Sequence, residues 1–65
     1  MKTYYRLKSK FNENWYVQQS ETFWNETIYF LSNSGTPALF GTKKAATQAR
    51  RDFPKNTLVM EAVSL

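Results

Sequence analysis

The chain reads as a small two-layer α+β domain: a three- to five-stranded, mostly antiparallel sheet with one helix packed on one face, in the order β-β-β-α-β. Three observations predict this. Apolar and polar residues alternate over Thr3–Lys10 and again over Trp15–Gln19. A β-branched and aromatic run occupies Thr27–Ser32. A single capped amphipathic stretch, residues 43–53, precedes a last apolar run at Thr57–Val63.

In the first segment Tyr5, Leu7, Ser9 and Phe11 fall on one side and Tyr4, Arg6, Lys8 and Lys10 on the other, as in a half-buried strand. Asn12-Glu13-Asn14 is a turn cluster, and Trp15 and Val17 resume the apolar side. Keeping both apolar sides on one face requires an odd loop, so a three-residue loop with Asn14 left-handed is expected, with Phe11 opposite Trp15 and Lys10 opposite Tyr16. Ser20-Glu21-Thr22 reads as a polar connection running into Phe23-Trp24, and Thr27–Ser32 as a third strand.

Asn33-Ser34-Gly35-Thr36-Pro37 is the strongest turn signal in the chain, and Ala38-Leu39-Phe40 reads as the end of a further strand. Thr42 is placed to cap a helix over residues 43–53 that Pro54 ends. On it Ala45, Ala46, Ala49 and Phe53 share one stripe, with Lys44, Thr47, Gln48 and Arg51 opposite. Three residues later comes the last strand. Apolar on both faces apart from Glu61, it is expected inside the sheet and not at its edge.

With 65 residues the chain is one domain, residues 1–65, and a domain of this size buries only about 60% of its unfolded surface. It has no cysteine and no histidine, so disulfides and thiolate or imidazole ligands are excluded as sources of stability. Aromatic packing and oligomerisation remain. Five phenylalanines, four tyrosines and two tryptophans recommend the first and leave room for the second. Charges recur at alternate positions near the N-terminus, no apolar run of signal-peptide length follows, and no stretch approaches a membrane span. A cytoplasmic location is the expectation.

The net charge is +4. Lys2, Arg6, Lys8 and Lys10 form one basic block, and Lys43, Lys44, Arg50, Arg51 and Lys55 another, on either side of a middle holding only Glu13, Glu21 and Glu26. With the helix on one sheet face, the two blocks are expected to point in opposite directions, across roughly 20 Å of protein.

Phe40-Gly41-Thr42-Lys43-Lys44-Ala45-Ala46, with Val59-Met60-Glu61-Ala62-Val63 after the helix, resembles the closing half of small uncharacterised proteins encoded by phages and prophages of Gram-positive bacteria. In those proteins a hydrophobic-x-Thr-Lys-Lys-Glu-Ala helix start precedes a strand ending Val-x-Glu-Val. The resemblance covers about half the chain, and Ala45 stands where a glutamate would complete a capping box with Thr42. It implies a sheet-plus-helix fold and a phage or prophage origin, and no activity.

Catalysis is disfavoured. The usual general base and the usual thiol nucleophile are missing, and the five carboxylates form no sequence cluster for a metal. Gly41-Thr42-Lys43 lacks the glycine-rich approach of a phosphate loop and is explained as a cap. No enzyme activity, cofactor or metal is expected. Function is instead expected on the sheet face that the helix leaves bare.

On that face Tyr4, Arg6, Lys8 and Lys10, beside Tyr16 and Gln18 and with Trp24 in the adjoining connection, offer an interaction surface. The helix adds a second basic patch of Lys43, Lys44, Arg50 and Arg51. A protein-interaction module is the first reading, either a homodimer or a binder of a host protein, because the charge is split and the aromatic face is not. The alternative is a small basic nucleic-acid-binding module for a single strand rather than a duplex.

Overall fold

The structure, a computed structural model, describes residues 1–65. Four strands, β1 (Thr3–Ser9), β2 (Tyr16–Glu21), β3 (Thr27–Ser32) and β4 (Leu58–Ser64), form one antiparallel sheet in the order β3-β2-β1-β4. The helix α1 (Lys43–Arg50) falls between β3 and β4 in the chain, which gives the expected β-β-β-α-β order of an α+β domain. No helix is long and apolar enough to cross a membrane.

The sheet is two ribbons joined at a corner. β1 pairs with β4 along its whole length, from Thr3↔Ser64 to Ser9↔Leu58, and β2 pairs with β3 from Tyr16↔Ser32 to Glu21↔Thr27. Between β1 and β2 the register consists of Lys8↔Tyr16 alone. Beyond it the strands diverge, and the segment read as a strand end fills the gap. Tyr5 and Phe40 exchange both backbone hydrogen bonds, at 2.8 and 2.7 Å, and the Ala38 amide donates to the Val17 carbonyl at 3.0 Å.

The first loop departs from the predicted hairpin. Lys8, not Lys10, lies opposite Tyr16, and β1 stops at Ser9. The cause is the buried Ser9 hydroxyl, which accepts from the amides of Phe11 and Asn12 and turns the chain out of the strand. The Lys10 amide then donates across to the Thr57 carbonyl at 3.0 Å, and Phe11, expected on the apolar side, is 74% exposed. Asn14 is left-handed as expected, with φ 65°. The three-residue loop occurs instead between β2 and β3, as Phe23-Trp24-Asn25. There the Thr22 amide donates to the Glu26 carbonyl at 2.8 Å, and Asn25 takes φ 62°.

Thr42 caps the helix from an extended conformation, its hydroxyl accepting from the Ala45 amide at 3.1 Å. The helix ends at Arg50, three residues short of the predicted Phe53. Arg51, Asp52 and Phe53 donate instead to the carbonyls three residues back, because the Pro54 ring would clash with the Arg50 carbonyl and disfavours helical φ/ψ at Phe53. Phe53 still packs against the core, as the stripe requires.

The core comprises Leu7, Val17, Ala38, Phe40, Ala46, Ala49 and Leu58. Phe40 is the one buried aromatic ring, and the partly buried Tyr5, Tyr29 and Phe53 pack against the core around it, so aromatic side chains contribute to the core at four positions. The small Ala46 and Ala49 bring the helix close over Leu7 and Val17, the largest fully buried side chains. β4 is an edge strand and not the interior strand its composition suggested. Its alternate residues Leu58 and Met60 join the core side, whereas Val59 is 42% exposed opposite. β1 holds the centre instead, and its Arg6 is paired across to Glu61 of β4 on the face opposite the core.

Candidate functional site

The pleat sorts side chains unambiguously once the registers are known. Leu7 and Val17 face the helix, so Tyr4, Arg6 and Lys8 of β1 and Tyr16 and Gln18 of β2 share the opposite, uncovered face. Five of the residues singled out from sequence therefore come together as expected. Lys10 and Trp24 do not join them.

On this face Arg6 is held from two sides. Its Nε donates to Glu61 Oε1 at 2.8 Å, and its guanidinium carbon lies 4.6 Å from the centroid of the Tyr16 ring. A pair whose partners are each about one-third exposed stabilises by no more than about 1 kcal/mol, and the ring contact adds a similar amount. Its effect on the surface is larger: the Arg6 charge is neutralised locally, which leaves Lys8 and, in the same phase at the end of the β1–β4 ladder, Lys2 as the face's unpaired cations. The Gln18 amide donates to the Ser34 carbonyl, and a Cβ on Gly35, whose φ is 84°, would come within 3.0 Å of Gln18 Oε1. The connection from β3 therefore crosses β2 at Gln18 on its way into the gap, and covers that corner of the face.

β3 supplies what the sequence reading missed. Tyr29 and Leu31 turn to the core, Tyr29 with its ring 5.9 Å from that of Phe40. Ile28 and Phe30 face outward in their place. Thr27–Ser32 is apolar in both phases, so only the register with β2 decides which set is buried. Leu39, between the buried Ala38 and Phe40, alternates to the same open side. Ile28, Phe30, Leu39 and Val59 are each between 40% and 46% exposed, giving the face an apolar character.

Trp24 lies beyond the end of the sheet, at the β2–β3 tip. It is 77% exposed and stacks edge-on against Phe23, with centroids 5.3 Å apart, and Glu21 and Glu26 flank the pair.

The second basic patch is divided. Lys43 and Lys44 lie in the first helical turn, Lys43 Nζ 5.9 Å from the Tyr5 ring centroid, and Arg50 and Arg51 lie about 10 Å away along the axis. Lys10, carried off the sheet face by the turn at Ser9, joins Arg50, Arg51 and Lys55 around a cleft of about 520 Å³. The expectation that the two basic blocks face apart is thus corrected at this position. No three His, Cys, Asp or Glu side chains come together anywhere in the chain. Compared with family models, with curated proteins and with solved structures, the chain shows no match in any of the three.

Proposed function

We propose that the chain is a non-enzymatic, cytoplasmic protein-interaction module that self-associates through the free edge of β3 and the open sheet face beside it. The observation that carries this reading is the imbalance between core and surface. Three of the seven core side chains are alanines, while Ile28 and Phe30 of β3 remain 46% and 40% exposed. A domain of this size without disulfides or a metal gains most from burying such a face against a second copy.

The edge supports the same reading. Val17 directs its carbonyl to Ala38, away from β3, so its partner Leu31 presents its own N–H and C=O outward, as do Tyr29 and Thr27 by alternation. The strand Thr27–Ser32 has no charge, proline or bulge to discourage pairing. Two copies joined there about a two-fold axis would set Ile28 and Phe30 of both side by side. β4, the other free edge, is a poorer partner because Glu61 sits between Val59 and Val63 on the open face.

Sedimentation equilibrium of the full chain tests this. A dimer is expected at about 100 µM with a Tm that rises with concentration. Ile28→Lys should give a monomer, and Val59→Lys should leave the dimer intact. A wild-type monomer at millimolar concentration with a fixed Tm would remove self-association. The host protein implied by the resemblance to phage-encoded chains would then be the occupant to seek by pull-down.

A further inference from the structure

We propose that the cleft at the C-terminal end of α1 binds the phosphate backbone of a single-stranded nucleic acid. The site lies apart from β3 and does not depend on self-association. Four cations from three parts of the chain converge on it: Lys10 from the turn after β1, Arg50 and Arg51 from the end of the helix, and Lys55 from the turn that follows. None of the four has an ion-pair partner, since Arg6–Glu61 is the only salt bridge in the chain.

A structural role accounts for part of this and not the rest. Arg50 and Arg51 complement the helix C-terminus, whose partial charge is about −0.5. That charge is small beside four cations, and it does not explain why Lys10 and Lys55 are brought to the same concave surface against their mutual repulsion. Asp52, beside Arg51 in sequence, does not line the cleft. The surface is therefore strongly positive, concave, and held in place by backbone bonds: Lys10 by its amide to Thr57, and the 51–53 turn by its three short-range bonds.

The shape fits a strand better than an isolated ion. At about 520 Å³ the cleft is far larger than a phosphate requires, and the half-buried Phe53 ring in its lining is apolar surface on which a sugar or base can lie between paired phosphates. The paired arginines add the planar fork that engages phosphate through two bonds at once. A duplex would need cations spread along a flat face, whereas Lys43 and Lys44 stand at the far end of the helix.

The test is fluorescence anisotropy of a labelled oligothymidylate of about twelve nucleotides against the full chain, from 50 to 200 mM salt. With four phosphate contacts on a single strand, affinity should fall about fifty-fold over that range. In the double variant Lys10→Gln/Lys55→Gln the fall should shrink to about sevenfold. Lys8→Gln, on the opposite sheet face, should match wild type, and circular dichroism should show all three chains folded. Amide shifts on titration should gather at Arg51, Phe53 and Asn56. The proposal is overturned if no binding occurs at 50 mM salt, or if Lys8→Gln reduces the salt dependence as much as the double variant. It is equally overturned if polyglutamate displaces the oligonucleotide as well as unlabelled strand does, which would make the cleft an acidic-peptide site, or if adenosine monophosphate alone produces the same shifts at the same affinity.

Discussion

The β1–β4 ribbon and the β2–β3 hairpin have equally complete backbone pairing, yet they are anchored to the rest of the molecule very differently. β1 buries Leu7 and Ser9, lies beneath the helix, and carries the Arg6–Glu61 pair across to β4. The hairpin buries Val17 alone, ends in the exposed Phe23 and Trp24, and meets β1 at the single register Lys8↔Tyr16. What ties the halves together is the Ala38–Phe40 segment, which bonds β1 on one side and β2 on the other. Hydrogen bonds thus make each ribbon, and the wedge of side chains from residues 38 and 40 makes the domain. The half that is weakly anchored is also the half that carries the proposed self-association surface, as expected where stability and binding draw on the same apolar side chains.

Phe40→Ala should have the largest consequence, because it removes the ring that fills the gap and touches Tyr29. A loss of about 3–5 kcal/mol is expected, comparable to the whole stability of a domain this small, so the cooperative urea transition followed by tryptophan fluorescence should disappear. The milder Phe40→Leu should cost less than about 1.5 kcal/mol and reveal the asymmetry directly. Amide exchange at Gln18 and Phe30 should accelerate well before exchange at β4. Equal acceleration in both ribbons would show that the hairpin is anchored as firmly as its neighbour.

Thr42→Ala acts on the other half. It removes the acceptor for the Ala45 amide and should lower stability by about 1 kcal/mol, read as a shift of the urea midpoint. The Ala45 and Ala46 amides should lose more protection than those of β2. The smallest effect is expected for Glu61→Gln, at no more than about 1 kcal/mol, since both partners are about one-third exposed. Its cost should shrink further in 1 M salt, where screening already weakens the wild-type pair. A larger loss would mean that the pair, and not the core, secures β4 to β1.

Local signals were legible wherever the responsible atoms are neighbours in the chain. Thr42 caps because its hydroxyl reaches an amide three residues on. Asn14 and Gly35 mark turns because they tolerate positive φ, and Pro54 stops a helix through its own ring. The open face was legible through Tyr4, Arg6, Lys8, Tyr16 and Gln18, whose alternation survives any register that keeps both Leu7 and Val17 buried. Ile28 and Phe30 were hidden because Thr27–Ser32 is apolar in both phases, and alternation cannot choose between two equally apolar sides. Lys10 and Phe11 were misplaced for a different reason. A serine hydroxyl within an alternating run reads as a polar residue of a strand until its burial shows it turning the chain.

Element identity, the Thr42 cap, the turn at Gly35 and the lone helix follow from residue chemistry acting over a few positions, so the amino-acid order was sufficient for them. Strand order, the Lys8↔Tyr16 register, the entry of residues 38–40 between β1 and β2, and the meeting of Lys10 with Arg50, Arg51 and Lys55 depend on contacts between residues far apart in the chain. No single one of those contacts dominates, and their combined free energy selects one arrangement only when the whole domain closes on its small core.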